Sequence, residues 1–374
     1  MSGKAQPPDA TAPLKAGKLP ADQLARLLAT LEITDPRVVL SGGIGEDAAL
    51  ISYGDRLLIA KSDPVTFATD RIGWYAVHIN ANDIAACGGD PKWFLATILL
   101  PEGTSPQRAQ EIFQQIRDAT AAIDVALIGG HTEITVGLPR PIVSGTMLGE
   151  VATGSEITTS GARPGDAILL TGGLAIEGTA ILAVEASVAL RSAGVGSEVL
   201  QRAAQFLDRP GISVLAAARA IRGPDVTTLH DPTEGGLAGA LAELAHASQV
   251  GVRVDEGAVQ ILPETRIICD ALKLDPWGLI ASGALLATVR PGSEDAALAK
   301  LRAAGVRAWK IGQITAPEQG LRILATTGET ASLSCFERDE LARYFEETEQ
   351  TKKTEKTEAS EIPDTAESTP ASSE

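Results

Sequence analysis

Four carboxylates in the N-terminal half stand where apolar segments end. Asp47 follows the glycine loop of "SGGIGEDAAL", and Asp63 closes "LLIAKSD" just before Pro64. Asp83 stands beside Asn82 in "NANDIAACGGDP", and Glu133 comes straight after a strand in "IGGHTEIT". Any one of these is an ordinary cap residue. Together they offer hard oxygen ligands from separate parts of a fold, the donor set that suits Mg²⁺ bound to phosphates. A bridging cation also resolves the problem of placing acids beside an anion, because it inverts the local electrostatics. In the C-terminal half, "HDPTEGGL" sets His230, Asp231, Thr233 and Glu234 ahead of Gly235–Gly236 and a helical pattern, more polar groups than a helix cap needs. His131 and His78 have no Ser or Cys partner at a spacing that would indicate a nucleophilic triad.

Two glycine motifs invite a nucleotide reading. Gly43, Gly45 and Ala48 fit GxGxxA, but that fingerprint needs a helix to follow, and here the chain enters a hairpin pattern with Gly54–Asp55 at its turn. A dinucleotide fold is therefore excluded. "GLAIEGTA" (Gly173–Ala180) lacks the P-loop lysine, yet its order of strand, glycine loop and helix leaves both anion binding and a plain connection open.

The elements that must position these groups alternate between strand-like and helix-like segments, which indicates α/β layers. "WFLATILLP", "VALIGG" and "RPIVSGTMLGEVA" read as strands, and "IGWYAVHINANDIAAC" has helical spacing. Ser105–Pro106 forms an N-cap and N1 pair for "QRAQEIFQQIRDATAAI". A second series begins after about Glu156, with "TSGARPGD" (Thr159–Asp166) as the join. The expected organisation is a tail over 1–16, an N-terminal domain over 17–155, a C-terminal domain over 156–330, a terminal helix over 331–345 and an acidic tail over 346–374. The last segment holds nine acids against three lysines and almost no apolar side chains, so it is expected to be disordered.

Composition narrows the partners. The chain has 374 residues, 44% of them hydrophobic, and a formal charge of −16 from 32 basic and 48 acidic side chains. No basic field exists to attract nucleic acid or an anionic membrane. The three cysteines, Cys87, Cys269 and Cys335, are scattered and outside any CxxC spacing. That speaks against a disulfide framework or a zinc site and for a reducing cytoplasm. No apolar run approaches a membrane span, and the N-terminus lacks a signal-peptide core.

In this order, "GIGEDAAL", "KSDPVTF", "NANDIAACGGDP", "LIGGHTEIT", "SGARPGDAILLTGG" and "HDPTEGGL" resemble the signature blocks of the PurM-like superfamily of aminoimidazole ribonucleotide (AIR) synthetase-related proteins, over roughly Gly17 to Thr327. "AIEGTAIL", "HDPTEGG" and "LDPWGLIASGALL" are most similar to its branch of the hydrogenase maturation factor HypE. The resemblance implies a two-domain α/β (α+β) fold. Its N-terminal domains would join two subunits through a shared β-barrel, and its C-terminal domain would be a mixed sheet flanked by helices. It also implies a homodimer that binds ATP and Mg²⁺ and activates an oxygen of a small-molecule or carboxamide substrate, with a maturation protein as a further partner.

Carried over by motif, Asp47, Asp63, Asp83 and Glu133 would take the metal. Gly42, Gly43, Gly45, Asn82, Gly129, Gly130, Thr132, Thr233 and Glu234 would bind the nucleotide, and Asp83, His131 and Asp231 would carry the chemistry. His131 would face phosphate or hydrogen-bond its loop, and Glu46 has no assigned role. HypE itself ends in a Pro-Arg-Ile-Cys tail whose cysteine bears the carbamoyl group. This sequence has no cysteine after Cys335, so the resemblance does not extend to that tethered reaction.

Overall fold

The computed structural model describes residues 17–360 except 69 and 337. Its first half runs α1 (Ala21–Leu28), β1 (Val38–Leu40), β2 (Ala49–Tyr53), β3 (Arg56–Val65), α2 (Ile72–Ala86), β4 (Asp90–Pro101), α3 (Pro106–Ala122), β5 (Ala126–Thr135) and β6 (Ile142–Ala152). The strands form a six-stranded sheet in the order β1-β2-β3-β6-β4-β5. Its pairs are antiparallel apart from β4 with β5, the two strands joined through α3. Ser105 caps α3 by accepting from the Arg108 backbone N–H at 3.1 Å, with Pro106 at N1.

The second half contains β7 (Ala167–Thr171), α4 (Ile176–Glu185), α5 (Ser187–Ser192), α6 (Ser197–Ala204), α7 (Leu215–Ile221), β8 (Val226–His230), α8 (Gly236–Ser248), β9 (Gly251–Asp255) and α9 (Pro263–Leu272). It continues with β10 (Leu286–Val289), α10 (Glu294–Ala303), β11 (Ala308–Thr315), β12 (Leu321–Leu324), β13 (Thr330–Ser332) and α11 (Glu340–Ser360). Its seven strands lie in the order β13-β12-β9-β11-β7-β10-β8, with β12 and β9 the parallel pair. The sheet is therefore mixed.

One helix joins the two halves. Every residue of α2 except Trp74 is buried, including the polar His78, Asn80, Asn82 and Asp83. It packs on β3, β6 and α3 of its own half and on α7 and β8 of the other. Asn82 fixes the contact: its Nδ2 donates to the Ile212 carbonyl at 2.7 Å and its Oδ1 accepts from the Val214 N–H at 2.9 Å.

Three sequence expectations need correction. Asp63 does not close its strand and Glu133 does not follow one; they lie within β3 and β5, because strand pairing continues through Pro64↔Ser144 and Pro101↔Thr135. The terminal helix expected over 331–345 starts only at Glu340, after β13. It then runs through Ser360, into the segment expected to be disordered. Leu341 and Ala342 are buried at its start, and Arg338 and Arg343 pair with Glu346 and Glu347. Those side-chain contacts offset an ordering cost that composition alone could not. Residues 1–16 and 361–374 of the expected tails lie outside the described residues.

Candidate active site

A cavity of about 470 Å³ opens between the two halves, within the size range of small-molecule sites. The glycine loop reaches it because Gly45 has φ +82, and a Cβ there would come within 2.8 Å of the Glu243 carbonyl oxygen on α8. Only glycine lets the loop close so tightly on that helix. Gly43, Gly45, Glu46 and Asp47 line the cavity from this side. Burial raises the Glu46 carboxyl above its ordinary range.

β3 and α2 supply a second wall. Lys61 Nζ lies 2.8 Å from Asp83 Oδ1 and 3.2 Å from Asp63 Oδ2. Burial works against the Lys61 charge, but Asp83 and Asp63 together hold the ammonium well above its usual range. Burial pushes the Asp83 carboxyl up against the pull of Lys61. The other oxygen of Asp83, Oδ2, has no hydrogen-bond partner.

β8 and α8 supply the third. His230 Nδ1 is 2.6 Å from Asp47 Oδ1, and its Nε2 is 3.2 Å from Glu243 Oε2. Glu243 Oε1 in turn accepts from Lys18 Nζ at 3.2 Å, and Thr159 donates to Asp47 Oδ2 at 3.3 Å. Burial opposes charge on His230, yet Asp47 and Glu243 hold the imidazole protonated well above its normal range. For Glu243 too burial is opposed, here by His230 and Lys18, which bring the carboxyl down to about 2. Asp231 is buried with neither oxygen partnered, and burial together with Asp83 and Asp47 raises it well above the usual carboxylate range.

These orphaned oxygens test the fit of a metal. Among the described residues, ligand atoms of Asp47, His230 and Asp231 lie within 4.8 Å of one another. Asp83 and Asp231, which carry the free oxygens, both line the same cavity. A buried carboxyl left without a partner is costly unless a cation or proton arrives. An oxygen-rich set of this kind suits Mg²⁺.

The structure thus brings Asp47, Asp63, Asp83, Asp231, Thr233, Glu234, Gly43 and Gly45 to one cavity. Gly42 precedes the lining residues, and Asn82 is committed to the backbone of the other half. Gly129, Gly130, His131 and Thr132 line a different pocket, of about 380 Å³, formed by β5 with α3 and β4. Glu133 shares their strand, 3.4 Å from His131. Sequence reasoning left Lys18, Lys61, Glu177 and Glu243 out of the site. Lys61 was within reach, since it stands two residues before Asp63 on the same face of a strand.

Comparison with known proteins follows this geometry. Profiles of the AIR synthase related protein family match the chain over 45–151 for the N-terminal domain and 163–323 for the C-terminal domain. A hydrogenase expression/formation protein of Methanocaldococcus jannaschii is 30% identical over 313 residues, covering 81% of this chain and 89% of that protein. Carbamoyl dehydratase HypE of Cupriavidus necator is 32% identical over 283 residues, covering 74% and 78%. HypE in complex with ATP has the same fold, with a TM-score of 0.66 at 24% identity over 88% of this chain and 98% of that one. A chain of the HypE–HypF complex gives 0.68 at 20% identity, covering 84% and 100%. With both domain profiles matched in order and these relatives aligned over most of their length, the chain belongs to the AIR synthase related protein family, on its HypE-like branch.

Proposed function

We propose that this cavity binds ATP with Mg²⁺ and phosphorylates, or otherwise activates, an oxygen of a small substrate or carboxamide. The observation that carries the reading is the set of buried, unpartnered carboxylate oxygens on Asp83 and Asp231, beside Asp47 and the fixed cation of Lys61. Asp47, Asp83 and Asp231 would hold Mg²⁺, with Asp63 at the rim. The ion's contribution is to neutralise phosphate charge, the main requirement of phosphoryl transfer. Lys61 presents an ammonium oriented by two carboxylates. The Gly43–Gly45 backbone can approach phosphate oxygens closely, and His230 keeps Asp47 in one orientation. Positioning and charge do the work in this scheme, with no covalent group on the protein. The names of the HypE relatives and the HypE–HypF complex support an enzyme that also meets a maturation partner.

Asp83→Asn and Asp47→Asn should each abolish Mg-ATP binding in calorimetry while the chain stays folded by circular dichroism. Undiminished nucleotide affinity in both would remove the assignment. Incubation of the wild type with Mg-ATP and candidate amides or phosphate acceptors, followed by phosphorus NMR, should show turnover.

A further inference from the structure

Glu177 and Ser282 line the same cavity but take no part in the lysine–histidine–carboxylate group. Glu177 lies in the first turn of α4. Ser282 lies on the segment after Leu279, which reaches α4 through the Gly178 N–H and the Ile280 carbonyl, 3.1 Å apart. Both side chains are fully buried, 2% and 0% exposed; Ser282 lies against the Glu177 carboxyl and hydrogen-bonds it, and Glu177 Oε2 is left without a partner. Buried polar groups are normally satisfied, so an orphaned carboxyl oxygen on a cavity-lining residue marks a place where a ligand supplies the partner.

The charge around this pair has one sign. Burial pushes the Glu177 carboxyl up to about 8 against the hydrogen bonding of Ser282, and the neighbouring Glu234 and Asp339 add to the rise. Tyr75, the other titratable neighbour, is itself driven well above its ordinary range by burial and by Glu177. Unlike Asp83 with Lys61, Glu177 has no cation among the groups that act on it most strongly. Ile181, Ile280 and Leu341 form apolar walls of the same cavity.

We propose that Glu177 and Ser282 form a second subsite of the cavity, which takes a cationic N–H group of the substrate, an ammonium or amidinium on a short apolar stem. Such a group donates to Glu177 Oε2 and Ser282 Oγ together and neutralises a corner that holds only acids. A carboxylate or phosphate there would add to the repulsion from the neighbouring acids, and a neutral amide would leave Glu234 and Asp339 without a counter-charge. On binding, the Glu177 proton leaves to buffer and the carboxylate pairs with the cation. The proposal rests on the nucleotide reading only in treating this cation as part of the substrate that ATP activates.

The test is calorimetry of the full chain with n-butylammonium, butyramide and butyrate, in buffers of different ionisation enthalpy, with ATP titrated separately into the wild type. Butylammonium should bind with release of a proton, about tenfold more tightly than the amide or the acid. Glu177→Gln, checked for folding by thermal melting, should lose about that factor, and Ser282→Ala a smaller one. Equal or tighter binding of butyramide, affinity unchanged in Glu177→Gln, or no binding of butylammonium to the wild type would overturn the subsite. Failure of ATP to bind the wild type would instead remove the nucleotide reading, whatever the result with the amine.

Discussion

At the scale of residues, Lys61 decides whether the cavity is tolerable in the free chain. It is the direct ion-pair partner of buried Asp83, and removing one member of a buried pair leaves the other uncompensated. Lys61→Met should therefore cost about 3 kcal/mol in chemical denaturation, and adding Asp83→Asn to it should recover much of the loss. Glu177 gives a pH effect. Burial holds its carboxyl at about 8 in the folded chain, above the ordinary value of 4.5. The folded state thus binds this proton more tightly than the unfolded state. The contribution is favourable below the unfolded value, declines as pH rises between the two, and is constant above about 8. Glu177→Gln should flatten the fall of melting temperature across that interval.

The acids of the site were legible because each sits in a short motif with glycines or a capping context. Glu243 was not: in "LAELAHAS" it reads as the polar face of an amphipathic helix, and only the fold aims it at His230. Glu177 was misleading for another reason. Its glycine-rich setting suggests an anion site, but the residue brought into the cavity is itself an acid.

At the scale of elements, α4 depends on a close approach. A Cβ on Gly178 would come within 2.5 Å of the Leu279 side chain and 3.0 Å of the Ile280 carbonyl. Gly178→Ala should push α4 off the segment that carries Ser282 and cost roughly 1–3 kcal/mol by thermal or urea unfolding, the usual penalty of overpacking. Periodicity revealed the elements themselves well, from the β2–β3 hairpin to the buried α2. It did not reveal how far α11 runs. That helix is anchored by long-range contacts, with Asp339 accepting from the Gly235 N–H at 2.8 Å and Phe345 stacked on Phe67 at 6.3 Å between centroids. Composition of the segment carries no trace of them.

At the scale of the whole molecule, β5 is the outer strand of its sheet and exposes Ile128 and Ile134, with Val136 exposed just after it and Phe113 on the neighbouring α3. An apolar, unpaired edge of this kind is a template for strand pairing unless it is covered. The homodimer that the family resemblance implies would cover it with a second copy. The wild type should sediment as a dimer, and Ile134→Lys should shift it toward monomer. His131, Thr132 and Glu133 stand on that edge, so any part they take in the chemistry would arise in the assembly.

The chain of contacts from Lys18 through Glu243 and His230 to Asp47 threads three stretches of sequence that fold in different places. Its first and last links lie before the join at Thr159–Asp166 and its middle two after it. Neither half expressed by itself can therefore orient Asp47, however well its own sheet forms. Two separately produced fragments should each be blind to nucleotide and regain it on mixing, so that binding becomes a reporter of reassembly.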